Sequence, residues 1–163
     1  MTAGPRNAAR PYWYEESCYF YSGGARMEEE VKRMSQLKME GLCCSSIIIQ
    51  MGLELRGEEN EQFVKSARAL CNGLHSGMVC GALTGAACML ALFDEKNVEM
   101  TQELARWFRY ELCAKYGSAD CENITHGSPY EKAVACPAIM KETYARAKEL
   151  LAEYGYIEPD CAE

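Results

Sequence analysis

Apolar residues recur every three to four positions along most of this chain, which is the spacing of one face of an α-helix. The first repeat runs from Glu28 to Glu40, has an acidic first turn, and stops before Gly41, a residue type suited to end a helix. The pattern therefore predicts a helix that ends just before two adjacent cysteines, Cys43 and Cys44.

Two more amphipathic stripes lie in the second half of the chain. One follows an acidic start near Glu99 and ends at Gly117, and it is carried by Leu104, Trp107, Phe108, Leu112 and Tyr116. The other follows Cys136 and Pro137, and proline is favoured at the first helical position, so Cys136 is predicted at or beside an N-cap. The segment between the two stripes, GSADCENITHGSP, is predicted to be a loop that holds Cys121.

The middle of the chain is more apolar. CCSSIIIQMGLEL is predicted to be a buried helix, although its three isoleucines also suit a strand, and a further helix is predicted from Glu58 to Leu70. After the glycine-rich loop CNGLHSGMVCG, the run ALTGAACMLALF predicts a central core helix. Gly77, Gly81 and Gly85 lie four apart, so a helix through them would have one stripe with almost no side chains. Gly81 and Gly85 are candidates for a cofactor-binding wall, and tight helix packing is the alternative.

These segments together predict an all-α, single-domain bundle of five to six helices around a glycine-lined core helix. An aromatic-rich arm occupies residues 1–27, the helical domain residues 28–155, and a frayed tail residues 156–163. The arm is too aromatic for a solvated tail, so it is expected to pack on the body or on a second subunit. We therefore expect a homodimer.

Charge and hydropathy narrow the class of protein. The chain has 163 residues, is 48% hydrophobic, and carries a formal net charge of -7. An acidic balance argues against nucleic acid or an anionic membrane surface as the main partner. The sequence has no recognisable signal peptide and no apolar run of the ~20 residues that a membrane helix needs, so neither export nor membrane insertion is expected. The predicted location is the cytoplasm.

Cysteine is the distinctive residue type, with 10 in the chain. Without an export signal, this density favours metal binding, an iron–sulfur cluster or catalytic thiols over a disulfide scaffold, although free cysteine also packs as a small apolar residue. A thiol at a helix N-terminus is expected to lose its proton more easily, which selects Cys44, Cys80, Cys121 and Cys136. The other six are expected to pack or to be incidental: Cys18, Cys43, Cys71, Cys88, Cys113 and Cys161.

Several common motifs do not occur in the sequence. Without CxxC or CxxCH, a dithiol of the thioredoxin type and a c-type haem lack their signatures. Without GxGxxG, GxxxxGK[ST], HExxH or GxSxG, no nucleotide site, zinc protease or serine hydrolase is indicated. We therefore expect no haem and no nucleotide cofactor, and no reaction is assigned to the chain as an enzyme.

The cysteines nevertheless form a pattern. CGALTG from Cys80 to Gly85 follows the string GLCC, which contains Cys44, and precedes Cys121 and Cys136. The sequence resembles a family of redox-active proteins named for a C-GCAxxG-C-C pattern and carrying a CGAxxG motif. The resemblance covers about residues 28–154 and implies an all-helical domain whose cysteines carry redox or metal chemistry. Some relatives are split-Soret-type cytochromes, but this chain lacks haem motifs.

Three hypotheses follow for these cysteines. In the first, Cys44, Cys80, Cys121 and Cys136 bind an iron–sulfur cluster for electron transfer with a redox partner protein. In the second, Cys80 or Cys136 is the nucleophile of a thiol–disulfide exchange without metal. The third is a structural zinc, with His75 or His126 as a further ligand, or a helical interaction module with buried thiols.

Overall fold

The computed structural model describes residues 23–159 and, within them, side chains from residue 27 onward. This part of the chain contains seven α-helices and no β-strand, which confirms the predicted all-α class. The helices are α1 Gly23–Met39, α2 Cys44–Arg56, α3 Glu61–Ser66, α4 Gly81–Phe93, α5 Val98–Trp107, α6 Cys121–Thr125 and α7 Pro129–Glu153. Short 3₁₀ turns at Ala67–Leu70 and Ala114–Tyr116 and π-turns at Gly73–Gly77 and Phe108–Leu112 lie between them.

Polar side chains fix where three of the helices begin. Asn60 caps α3 by accepting a 3.0 Å hydrogen bond from the N–H of Phe63, and Asn97 caps α5 in the same way. Because Asn60 satisfies a backbone N–H of the first turn, this helix begins at Glu61 and not at the predicted Glu58.

The third capped helix overturns one prediction. Ser128 caps α7 and Pro129 opens it, so the helix begins well before Pro137, which lies in its interior. Cys136 is therefore inside a long helix and not at an N-cap. Pro137 has no N–H to donate, and the helix continues through it into a second half with eight buried residues, beginning at Ile139. The packing of that half outweighs the lost backbone bond.

Helix α4 is the centre of the fold and lies between α2 and α7. The two helices α2 and α4 approach closely because glycines replace side chains at their contact. A Cβ on Gly85 would lie 2.7 Å from the Cα of Ser45, and one on Gly52 would lie 2.7 Å from Cγ of Met89. The glycine-lined core helix is thus confirmed for Gly81 and Gly85, but Gly77 lies outside α4 in a left-handed conformation with φ +78°.

Two of the cysteines expected to pack do so. Cys113 is 0% exposed in the main core, and Cys88 is half-buried against a smaller cluster formed by Ile49, Leu53, Val64 and Ala67. Both therefore act as small apolar residues in this fold.

A buried ion pair ties the first helix to the last. Lys148 Nζ donates to Glu30 Oε1 at 2.6 Å, and the two side chains are 5% and 13% exposed. Removing one partner of such a pair would leave a charge that water cannot fully solvate. The pair therefore fixes α1 against α7.

Some predictions concern residues at the two ends of the chain that the structure does not describe. Residues 1–22 of the predicted arm, with Cys18, and residues 160–163, with Cys161, lie outside the described residues. The last residues of the predicted arm already belong to α1, which begins at Gly23. Among the described helices, none combines the length and the hydropathy needed to cross a membrane.

The glycine contact between α2 and α4 predicts a difference between two matched variants. In Gly85→Ala the new Cβ meets backbone atoms of Ser45, which cannot move without shifting a helix. We expect a loss of about 1–3 kcal/mol in the free energy of unfolding. In Gly52→Ala the new Cβ meets Cγ and Cβ of the buried Met89, which must shift within the core but without moving a helix. Because alanine also gains up to about 1 kcal/mol of helix propensity, a smaller loss is expected there. Urea unfolding of both variants measures the difference, and equal losses would contradict this packing.

Candidate functional site

The four cysteines selected from the sequence lie on four different helices. Cys44 is the first residue of α2, Cys80 is the N-cap of α4, Cys121 is the first residue of α6, and Cys136 lies within α7. Cys121 was predicted on a loop, and this is wrong because the short helix α6 begins at it. Three of the four thiols thus stand at helix N-termini.

A short backbone pairing holds two of these starts together. The segments around Val79 and Asp120 form an isolated antiparallel bridge. The N–H of Cys80 donates to the carbonyl of Ala119 at 2.9 Å, and the N–H of Cys121 donates to the carbonyl of Met78 at 2.7 Å. These bonds fix the beginnings of α4 and α6 side by side.

Burial has the largest effect on the pKa values of three of these thiols, and it opposes their ionisation. It raises the pKa of Cys44 and Cys136, and it raises the pKa of Cys80 to about 12. Negative charge on a neighbouring thiolate raises these pKa values further. Charge on Cys121 acts on Cys44, Cys80 and Cys136, and charge on Cys44 acts on Cys80 and Cys136. The four thiols therefore share one electrostatic neighbourhood.

The glycine at position 81 lets α2 and α4 come into contact beside Cys44. A Cβ on Gly81 would lie 2.6 Å from Sγ of Cys44 and 3.0 Å from the carbonyl oxygen of Leu70. The absence of a side chain at this position lets Cys44 lie against the first turn of α4. Gly81 and Gly85 thus act in helix packing beside the thiols.

Backbone amides are directed at two of the sulfurs, as expected for helix N-termini. Hydrogen bonds from the N–H groups of Ala82 and Leu83 lower the pKa of Cys80, and those of Ser45 and Asn72 lower the pKa of Cys44, but burial outweighs them. The expectation of easily ionised thiols is therefore wrong for these two. The same backbone N–H groups would stabilise a thiolate at either sulfur once a cation compensates its burial.

A strained loop forms one wall of the site. Asn72, Leu74 and His75 have backbone φ values of 51°, 57° and 55°. These lie in the left-handed region that residues other than glycine rarely adopt. The carbonyl of Gly73 accepts hydrogen bonds from the N–H of Met78 at 3.1 Å and from Oγ of Ser76 at 2.9 Å. These bonds hold the turn, and a backbone hydrogen bond from Asn72 within it acts to lower the pKa of Cys44.

The site opens on one side. Cys80 and Cys121 are buried, with 7% and 8% exposure, whereas Cys44 and Cys136 are half-buried. The positive charges of Lys38 and Lys132 act on Cys136, where they partly offset the effect of burial on its pKa. Cys44 and Cys136 are therefore the thiols of the site that solvent reaches most readily, and the charges of the two lysines act on Cys136.

The two histidines have other contacts. His75 Nε2 lies 2.8 Å from the carbonyl oxygen of Arg68, and His126 Nδ1 lies 2.6 Å from Oε2 of Glu131. Within residues 23–159, no group of three or more Cys, His, Asp or Glu side chains stands close enough to hold one metal ion. The four thiols are neighbours, but they are not gathered around a single point.

One pairing was not predicted. Cys43, which was expected to pack, forms a disulfide with Cys71, and their Cα atoms are 6.1 Å apart. The two residues are separated by 28 positions, and no motif in the sequence links them. Only the fold, which sets the start of α2 against the end of the 3₁₀ turn, brings them together.

Comparison with known proteins gives one match. A family model described as "Putative redox-active protein (C_GCAxxG_C_C)" matches residues 42–150, about two thirds of the chain and a range that includes all four site cysteines. Neither the curated proteins nor the solved structures contain a match.

The strained loop predicts a second pair of variants. Gly73→Ala and Gly127→Ala both place a side chain at positive φ, +59° and +67°, which costs about 1–2 kcal/mol. In Gly73→Ala the Cβ would also overlap the carbonyl of Met78, whereas nothing lies within 4 Å at Gly127. We expect a further loss of about 1–3 kcal/mol in Gly73→Ala alone. Urea unfolding tests this, and equal losses would show that the loop adapts.

The buried thiol of Cys113 predicts a pH dependence of stability. Burial raises its pKa to about 11 from 9.0, so between these values the unfolded chain loses a proton that the folded chain keeps. The free energy of unfolding should therefore fall as pH rises through this window, by up to about 1.4 kcal/mol per pH unit from this group. Below about pH 9 it has no effect.

The measurement is urea unfolding of the wild type and of Cys113→Ala from about pH 8 to about pH 11, with reductant present. The smaller side chain of alanine lowers the free energy of unfolding of the variant at every pH. The missing titration of Cys113 changes only the slope of that free energy against pH. A shallower decline in Cys113→Ala above about pH 9 is expected, and parallel curves would contradict the assignment.

Proposed function

The chain belongs to the C_GCAxxG_C_C family of redox-active proteins, and we propose that its four clustered cysteines bind an iron–sulfur cluster that transfers electrons to a partner protein. The proposed ligands are Cys44, Cys80, Cys121 and Cys136. The observation that supports the proposal is that charge on Cys121 raises the pKa of Cys44, Cys80 and Cys136, which lie on or beside three other helices.

The chemistry of the donor set supports iron and sulfide. Four thiolates without a histidine are the usual ligands of such clusters, and both histidines are engaged elsewhere. The amides directed at Cys44 and Cys80 would donate to bound thiolate sulfurs, and hydrogen bonds of this kind raise the reduction potential of a cluster. When bound, the cluster supplies a one-electron couple.

A structural zinc at these thiols is less well supported than a cluster. Four sulfurs around one zinc ion, each about 2.3 Å from the metal, must lie about 3.8 Å from one another. The described side chains contain no such tight group. In a four-iron cluster each thiolate binds its own iron, so its sulfurs stand farther apart than around a single ion. A cluster therefore needs a wider spacing of its four thiolates than zinc does.

Thiol–disulfide exchange at the same four residues is less well supported. A nucleophilic cysteine needs a substantial thiolate fraction, and burial raises the pKa of Cys80 to about 12. Burial raises the pKa of Cys136 as well. A bound metal removes this obstacle, because a coordinating thiol is deprotonated outright.

The open side of the site is where we place the partner protein. Cys136 is half-buried there, and the charges of Lys38 and Lys132 act on it. An acidic surface on a redox partner would fit these lysines and would bring the two centres close. The homodimer stays a prediction.

Anaerobic purification tests the proposal. The full chain, reconstituted with ferrous iron and sulfide, is expected to carry both elements and to show visible absorption that bleaches on reduction. Single replacement of Cys44, Cys80, Cys121 or Cys136 by serine should lower the bound iron and change the visible absorption, because the remaining three thiolates leave one iron without its thiolate ligand.

Cys88→Ser is the matched control, since Cys88 lies in the same central helix but faces the second apolar cluster. It should bind as much iron and sulfide as the wild type. Protein that takes up no iron or sulfide, or that loses both equally in Cys88→Ser, would refute the cluster. Binding of zinc alone would do the same.

A further inference from the structure

Cys43 and Cys71 form a cysteine pair that the family pattern does not contain. The resemblance to the family assigns four cysteines, and neither of these two is among them. Their Cα atoms are 6.1 Å apart, within the range that a disulfide needs without backbone movement. We propose that Cys43 and Cys71 are a second redox site, a reversible dithiol–disulfide couple that exchanges with small thiols and disulfides.

Two buried serine hydroxyl groups can accept hydrogen bonds from the thiols of the reduced pair. Ser45 and Ser46 are 0% and 1% exposed, and their hydroxyls donate to the carbonyls of Ala67 at 2.9 Å and Val64 at 3.0 Å. Each hydroxyl has one proton, so its oxygen lone pairs are left to accept a further bond. Ser45 Oγ lies 3.0 Å from Cys71 Sγ.

Cys43 has an equivalent acceptor. Its Sγ lies 3.5 Å from Oγ of Ser46, in a geometry that lets the thiol donate. Both S–H groups of the reduced pair would therefore have an oxygen acceptor, so reduction leaves no buried polar group unpartnered. In the oxidised form the sulfurs bond to each other, and the serine hydroxyls keep their carbonyl partners. The same environment thus accommodates both redox states.

Exposure assigns different roles to the two sulfurs. Cys43 is half-buried at the N-cap of α2, whereas Cys71 is 2% exposed. Of the two residues, Cys43 is the one with appreciable exposure to solvent. Cys43 is therefore the residue that meets the external reagent, and Cys71 is the resolving cysteine.

The exchange balances with a low-molecular-weight disulfide as the oxidant. The thiolate of Cys43 attacks one sulfur of the reagent, whose S–S bond breaks, and a mixed disulfide forms with release of one thiolate. Cys71 then gives up its proton and attacks Sγ of Cys43, which expels the second thiolate. Two protein thiols are oxidised by two electrons, the reagent is reduced to two thiols, and the two protons pass to them. Reduction runs these steps in reverse.

The pair is separate from the four-cysteine site but adjoins it. Cys43 precedes Cys44 in the chain, and a backbone hydrogen bond from Asn72, which follows Cys71, acts to lower the pKa of Cys44. A Cβ on Gly81 would lie 3.5 Å from the Cα of Cys71. The disulfide thus joins the start of α2 to the strained loop. The couple does not depend on iron, so a failure of the proposed function would leave it standing.

The test is a redox titration of the full chain in glutathione buffers of graded composition. After equilibration without oxygen, samples are quenched in acid, alkylated, and analysed by fragmentation mass spectrometry that separates Cys43 from Cys44. In the wild type and in Cys88→Ser, Cys43 and Cys71 should change state together in one two-electron transition. Cys71→Ser should instead accumulate glutathione on Cys43, and Cys43→Ser should leave Cys71 unmodified.

Two results would overturn the proposal. Both thiols could stay free in the most oxidising buffer, which would show that the pair does not form. Alternatively, the disulfide could persist in excess dithiothreitol in the folded protein and be reduced only after unfolding, which would make it an inert crosslink. Wild-type peptides alone decide between these results if a variant fails to fold.

Discussion

The close approach of α2 and α4 is the contact on which the rest of the structure depends. Gly85 lies against the backbone of Ser45, and Gly81 lies against the thiol of Cys44 and the carbonyl of Leu70. A methyl group at either glycine would separate the two helices at their N-terminal ends. Those ends carry Cys44 and Cys80, so the packing of the core and the position of the site follow from one geometric constraint.

At the site, burial and hydrogen bonding act on the thiols in opposite directions. Amides at the starts of two helices are directed at the sulfurs of Cys44 and Cys80, yet burial raises the pKa of both thiols. A protein that needed a free nucleophile would leave the sulfur closer to water. The combination suits a thiolate that is formed on binding a cation, which is why the proposed function requires a metal.

The sequence predicted the fold more completely than the site. Helical periodicity and end signals such as Gly41 identified the long helices, because these signals act within a few residues of the chain. The prediction of a helix start at Pro137 is wrong, because the helix is already capped upstream by Ser128 and Pro137 lies in its interior. The thiols were selected by local position, but their ionisation was mispredicted because burial is decided by distant parts of the chain.

The pairing of Cys43 with Cys71 marks the limit of such local reasoning. A pair of adjacent cysteines at the start of a helix suggests two thiols with a similar role, but the helix directs them to different surroundings. Cys44 lies against Gly81, in the four-cysteine site, while Cys43 lies beside Ser46 and reaches Cys71. Adjacent cysteines can therefore belong to two different sites, because the start of α2 directs Cys43 and Cys44 to different surroundings.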